Sequence, residues 1–260
     1  YLNLARGHNM ATGEASTYGA LSIVSTLAWG LGYFGMPHIL LRFMAIRDEN
    51  KLKISRRIAS VWVVISMFVA ILIGIIGYSV SLNGKIPVFS SSAESETVIV
   101  QLAGLLSRHG VFFALAAGVV LAGILACTMS TADSQLLTAA SSVSQDLLQD
   151  FFHVKMSEGA SMLVARGTVI AIALVSVVLA WDPNSSVFTI VSFAWAGFGA
   201  AFGPVMLFAL FWKRSNKWGA LAGMITGGVM VFAWKYLVRP IGGAWNIYEL
   251  LPAFLVACVA

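Results

Sequence analysis

Charge is scarce in this sequence: Asp, Glu, Lys and Arg make up 10% of 260 residues, against 59% hydrophobic residues. A water-soluble domain dresses its surface with about a quarter of its residues charged, so this composition excludes an ordinary soluble domain and points to lipid as the solvent. Cysteine is scarce too. Cys127 and Cys258 both lie in apolar runs, which excludes a disulfide framework, and no His or Cys cluster has metal-ligand spacing. No nucleophile and base occur together, so the residues do not point to an enzyme. An initiating Met and a signal-peptide pattern are also lacking. The chain opens on polar YLNLARGHNM and stops at LVACVA inside an apolar run, and it reads as a piece of a longer protein.

What is abundant is long apolar runs. Segments able to cross a roughly 30 Å core at about 1.5 Å per residue fall at about 18–44, 59–80, 110–146, 162–181, 187–212 and 219–237, and a seventh begins near 250. A barrel would alternate every second residue, whereas these runs are continuous, so the expected fold is an all-α integral membrane protein without strands. Residues 1–17 read as an external loop, SLNGKIPVFSSSAESE as another, and TVIVQLAGLLSRHG as a short helix along the interface. Asp182-Pro183-Asn184 reads as a short turn between the fourth and fifth spans.

Taking alternate connections as one side, that side collects Arg42, Arg47, Lys51, Lys53, Arg56, Arg57, Lys155, Arg166, Lys213, Arg214 and Lys217, 11 in all, against 5 on the other: Arg6, Lys85, Arg108, Lys235 and Arg239. The positive-inside bias puts the connections near 45–58, 147–161 and 213–218 in the cytoplasm and the N-terminal stretch outside. This surplus accounts for the net charge of +5 as a topology signal at lipid headgroups, without nucleic acid as a partner.

The first span carries an anomaly. STLAWGLGYFGMPHIL has Gly30, Gly32, Gly35 and Pro37 within eight residues. Irregular backbone at membrane depth survives only where it is buried in protein or lines a watery cavity, and discontinuous helices are how secondary transporters hold ions and small zwitterions near the midplane. On an α-helical projection Trp29, Tyr33 and Pro37 share one face, an apolar wall with polar tips that suits a small, partly apolar solute. The alternative is that the glycines only allow close helix packing.

The third span carries a polar stripe. Cys127, Thr131, Ser134, Thr138, Ser141 and Gln145 step by fours and threes, with Ser130 beside them, and at about 100° per residue they fall in one arc roughly 100° wide. Such a stripe is expected to face a water-filled path. Ser130 and Thr131 offer adjacent oxygens near the midpoint, suited to Na⁺; the alternative is that the hydroxyls bond back to their own helix carbonyls. Asp133 is the only carboxylate well inside a span, a functional position by default. It either attracts the cation on its way to the cytoplasm, receives a proton, or pairs with a basic residue on a helix absent from this chain. In the fifth and sixth spans Gly197, Gly199, Gly203, Gly219, Gly223 and Gly227 make small-residue faces for close helix contact. His38 and His153 have no partner in view and read as structural.

WGLGYFGMPHILLRFMA, then AGILACTMSTADSQLL, then SFAWAGFGAAFGPVMLFALFWKR and NKWGALAGM, resemble the sodium:solute symporter family, and within it the sodium/proline symporters, over nearly the whole chain and in the same order. The resemblance implies two inverted five-helix repeats, as in the leucine-transporter superfamily. On that reading 18–212 is the second repeat, 219–260 holds one complete and one truncated extra helix, and the first repeat is absent from this chain. Carried over by position, Trp29, Tyr33 and Pro37 match substrate-pocket residues around an unwound helix at Gly30, Gly32 and Gly35. Ser130 and Thr131 match side-chain Na⁺ ligands, and Cys127 lies where a backbone carbonyl is expected to complete that site. Asp133, Ser134, Thr138 and Ser141 then line the ion exit. The sequence departs from the pattern at Cys127 (Ala in some members), at Met36 (Gln expected beside the pocket) and at Asp133 (Ser in some members).

The expected function is therefore Na⁺-coupled uptake of L-proline across the cytoplasmic membrane by alternating access. Na⁺ is the coupling ion, and no organic cofactor is expected. The partners are the solute, the bilayer and the missing N-terminal repeat. The alternatives are a Na⁺ symporter for pantothenate, a carboxylate or a sugar, and a symporter-like sensor joined to a signalling kinase.

Overall fold

The computed structural model describes residues 6–8, 15–181 and 186–260. Proline and glycine divide the first apolar run into three. Helix α1 (Ala20–Leu27) continues into a 3-10 helix (Ala28–Gly35), Met36 turns extended at φ −83° and ψ 113°, and α2 (Pro37–Met44) begins on its proline. Pro fits there because the first turn of a helix has no use for its missing N–H. Eight residues of 3-10 winding is a long run for a geometry that seldom exceeds three or four.

Further along come α3 (Lys51–Leu82), the one-turn α4 (Ser92–Ser95), α5 (Val98–Ser107) and α6 (Val111–Ser141), which widens into a π-helix (Ser142–Phe151). Then follow α7 (Glu158–Leu179), α8 (Val187–Phe211), α9 (Lys217–Ala233) with a short π-helical end (Trp234–Val238), and α10 (Leu250–Val259). Among the described residues five helices are long and apolar enough to cross a membrane: Asn50–Leu82, Val111–Phe151, Glu158–Leu179, Val187–Phe211 and Lys217–Ile241. The chain is a multi-pass, helical membrane protein. The first span is absent from those five because it is broken.

One expectation needs correction. The stretch 1–17, read as loop in a strandless fold, holds a hairpin: β1 (Arg6–His8) pairs antiparallel with β2 (Ala15–Thr17), Arg6 opposite Thr17. Three-residue strands outside the spans leave too short a pattern to read. Helix α3 begins at Lys51, ahead of the apolar run 59–80, because KLKISRR is rich in good helix formers as well as in charge. The expected turn at Asp182-Pro183-Asn184 lies outside the described residues.

The chain divides into two compact units, one formed by the N-terminal part to Ile54 with Ser186–Ala260, the other by Ser55–Ser185. In the first, the core is Ala196, Ala200, Val231, Leu250, Ala253 and Phe254, contributed by α8, α9 and α10. Small residues let these backbones meet. A Cβ on Gly199 would come within 2.7 Å of the Gly32 Cα, one on Gly223 within 3.2 Å of the Ala257 carbonyl oxygen, and one on Gly227 would run into the Ala200 carbonyl. Gly199, Gly203, Gly223 and Gly227 thus serve close packing, whereas Gly197 has open space and Gly219 has only the Asn216 side chain near it. In the second unit α5 lies against α6, and Gly77 of α3 makes room for Val98 and Leu102 of α5.

Candidate functional site

In the first unit the site is built around an indole that the sequence reading passed over. Trp195 of α8 donates from Nε1 to the backbone carbonyl of Trp29, 3.0 Å away, and so satisfies a polar group in the irregular stretch. Its ring stacks on Trp29 at 5.5 Å and 14°, and Tyr33 meets it edge-on at 4.8 Å and 84°. Trp29 also lies nearly parallel to Phe188 (5.4 Å, 9°) and Tyr248 (5.7 Å, 17°). The result is an aromatic wall in which Trp29 is half-buried and Tyr33 is 52% exposed. Stacked rings with phenol tips suit a small solute that is apolar on one side and polar on the other.

The wall comes together differently from the projection. A 3-10 helix turns about 120° per residue, so the face shared by Trp29, Tyr33 and Pro37 in an α-helix does not form; positions three apart eclipse instead. Trp29, Gly32 and Gly35 therefore share an edge, and Gly32 and Gly35 are buried. A Cβ on Gly32 would collide with the Trp195 indole, and one on Gly35 with the Phe198 carbonyl, whereas Gly30 has open space. Close packing is thus the use of Gly32 and Gly35. Trp29 and Tyr33 are brought together through Trp195, while Pro37 opens α2 beyond the break and is half-buried.

Tyr248, in the connection from α9 to α10, is tied to both α1 and α8. Its amide donates to Ser25 Oγ of α1 and its hydroxyl to the Ser192 carbonyl of α8, each at 2.6 Å. Burial, and secondarily the neighbouring Glu249 carboxylate, push the phenol well above its usual pKa. Trp195 carried a weak signal, a large aromatic within SFAWAGFGAAFGP. Tyr248 carried none, because its contact with Ser25 spans 223 positions.

The candidate ion residues belong to the second unit. Cys127, Ser130, Thr131 and Asp133 are exposed within it, and Ser134, Thr138 and Ser141 are half-buried. The hydroxyls bond back along their own helix: Thr131 donates to the Cys127 carbonyl (3.1 Å), Ser134 to that of Ser130 (3.1 Å) and Thr138 to that of Ser134 (2.8 Å). This is the alternative weighed for the stripe, and it leaves the oxygen lone pairs able to accept a cation. At the foot of the stripe Ser141 donates to Gln145 Oε1 (3.3 Å), and Gln149 Nε2 donates to Ser161 Oγ of α7 (3.0 Å). There the helix widens: the Phe152 amide reaches back five residues to Leu147 (3.0 Å), and no Gly or Pro in Ser142–Phe151 announces it.

Similar sequences are named for transport. The osmoregulated proline transporter OpuE of Bacillus subtilis is 40% identical over 240 residues, 92% of this chain and 46% of that protein. A sodium/proline symporter of Haemophilus influenzae is 42% identical over 240 residues, covering 92% and 47%, and one of Escherichia coli 38% over 239 residues, covering 92% and 46%. The chain spans about half the length of the curated relatives it matches. No solved structure matches. The sodium:solute symporter family profile matches residues 6–227, which takes in the hairpin, the break, the stripe and most of α9, and the chain belongs to that family.

Proposed function

We propose that this chain is the C-terminal part of a symporter that couples L-proline uptake to Na⁺ across the cytoplasmic membrane by alternating access. The observation that carries the reading is the eight-residue 3-10 break, Ala28–Gly35, which holds Trp29 and Tyr33 against Trp195 inside an apolar run. Irregular backbone of that length is tolerated at membrane depth where it serves a site. The solute is taken to be proline because the relatives are named for it.

In this reading Trp29, Tyr33 and Pro37 contact the solute. Ser130 and Thr131 offer Na⁺ their side-chain oxygens, with the Cys127 carbonyl completing the set. That carbonyl already accepts the Thr131 hydroxyl, so Na⁺ binding exchanges a hydrogen bond for a coordination bond. Asp133, Ser134, Thr138 and Ser141 line the exit to the cytoplasm. Residues 18–212 form the second inverted repeat, and the first repeat supplies the remaining contacts. Na⁺ stabilises the outward-open, solute-competent state, and unequal affinity of the two ligands for the two states drives the cycle.

The test is radiolabelled proline uptake by the full-length parent in proteoliposomes, with and without an inward Na⁺ gradient. Uptake that requires Na⁺ and is competed by unlabelled proline is expected. Absence of proline uptake under either gradient would turn the reading toward another solute, for which Met36, buried at the end of the break in place of the expected Gln, is the favouring observation.

A further inference from the structure

The connection from α9 to α10 is closed on itself more firmly than joining two helices requires. Arg239, at its start, donates from Nη1 to Glu249 Oε2 (2.9 Å) and from Nε to Asn246 Oδ1 (3.1 Å). Gly242 and Gly243, at φ 79° and 60°, supply the left-handed backbone that turns the chain back. Glu249, at its end, is 1% exposed. A carboxylate so deeply buried is tolerated because the guanidinium stays beside it, so the pair fixes the end of the loop as well as its start.

The residue that this closure places is Tyr248. Its amide is held by Ser25 of α1, its hydroxyl by the Ser192 carbonyl of α8, and its ring stands 5.7 Å from Trp29 at an interplanar angle of 17°. One residue thus joins the loop to α1, to α8 and to the Trp29 ring. Phe188 and Trp195 lie against the same indole, so Trp29 is held by rings from α8 and from the loop.

We propose that Tyr248 is a positioning residue of the solute site, holding the Trp29 indole in place for the solute, with the Arg239–Glu249 pair setting where Tyr248 stands. This rests on Trp29 being a solute contact. It makes the connection between the sixth and seventh spans, far along the chain from the break, a determinant of solute affinity and leaves the coupling ion untouched. A group that acts by holding another alters the geometry in which the ligand is met, and its loss is read in KM before it is read in maximal rate.

The experiment measures initial proline uptake by the full-length parent carrying Trp29→Ala, Tyr248→Ala, Tyr248→Phe or the Trp29→Ala/Tyr248→Ala pair, with KM, maximal rate per inserted protein and half-saturating Na⁺ for each. Tyr248→Ala is expected to raise KM about fivefold while maximal rate and half-saturating Na⁺ stay within about twofold, and the pair is expected to be no worse than Trp29→Ala alone, since both act through one indole. Tyr248→Phe keeps the ring and loses the bond to Ser192; it is expected to raise KM about twofold, and it decides the matter if Tyr248→Ala fails to insert. A raised KM in Trp29→Ala beside an unchanged KM in both Tyr248 variants overturns the positioning role and spares the pocket. Effects that multiply in the pair overturn it as well. An unchanged KM in Trp29→Ala removes the pocket reading and this proposal with it.

Discussion

Gly199 and Gly197 are two residues apart on α8, and their surroundings predict opposite outcomes for the same substitution. A methyl on Gly199 would meet the Gly32 Cα at 2.7 Å and Leu250 Cδ1 at 3.0 Å, while one on Gly197 would meet nothing within 4 Å. The first obstacle is backbone and cannot swing aside, so Gly199→Ala is expected to destabilise by about 1–3 kcal/mol. Gly197→Ala gains helix propensity, up to about 1 kcal/mol. Thermal unfolding of the detergent-purified parent should show the apparent midpoint falling for Gly199→Ala and holding or rising for Gly197→Ala; equal shifts would mean that the contact between the break and α8 is not close. Thr131 allows a similar pairing for function. Thr131→Ser keeps the hydroxyl and is expected to leave half-saturating Na⁺ within about threefold, whereas Thr131→Ala should raise it on the order of tenfold, equivalent to about 1.4 kcal/mol. Na⁺ dependence like that of the parent in Thr131→Ala would remove Thr131 from the ion site.

At the scale of elements, α9 begins on a cap that can be tested by itself. Asn216 Oδ1 accepts the amides of Trp218 (3.0 Å) and Gly219 (2.9 Å), two donors that the helix cannot otherwise satisfy. Asn216→Ala is expected to lower stability by about 1 kcal/mol and Asn216→Asp to leave it unchanged or raise it, read from the same unfolding midpoints. The apolar helices and the break in the first were legible because apolar length and a cluster of Gly and Pro are local signals. The winding at the break was not. Whether Ala28–Gly35 coils with 3.0 or 3.6 residues per turn depends on Trp195 and Phe198 pressing on Gly32 and Gly35, which lie over 150 positions away in the chain. Projecting an α-helix therefore picked out Trp29 and Tyr33, which meet at Trp195, but put them on a shared face that the 3-10 winding does not form. The π-helix at Ser142–Phe151 was invisible for a related reason, since nothing in SVSQDLLQDF forbids an ordinary turn. The hydroxyl stripe was legible as a pattern, while its back-bonding was foreseen only as one of two outcomes.

For the whole molecule the arrangement to be settled is which face of the membrane each connection occupies. Alternation predicts that the ends of the chain's spans group by parity, and the first unit obeys this. The connection after α9 reaches Ser25 of α1 and Ser192 near the start of α8, and the 11-to-5 distribution of Lys and Arg predicts that all three lie outside. Parity alone does not choose inside from outside; the basic residues do, because moving Lys and Arg across the bilayer during insertion is costly. The prediction follows for the full-length parent with its cysteines, including Cys127 and Cys258, replaced. A single cysteine at Lys85, exposed in the connection after α3, should react with a membrane-impermeant maleimide on intact cells, and one at Lys213, exposed in the connection after α8, only once the cells are opened. The reverse pattern would invert the topology and place the loop that carries Tyr248 in the cytoplasm. Labelling of both in intact cells would break the alternation, which neither the hydroxyl stripe as an inward exit nor Tyr248 as an outer support for Trp29 would survive.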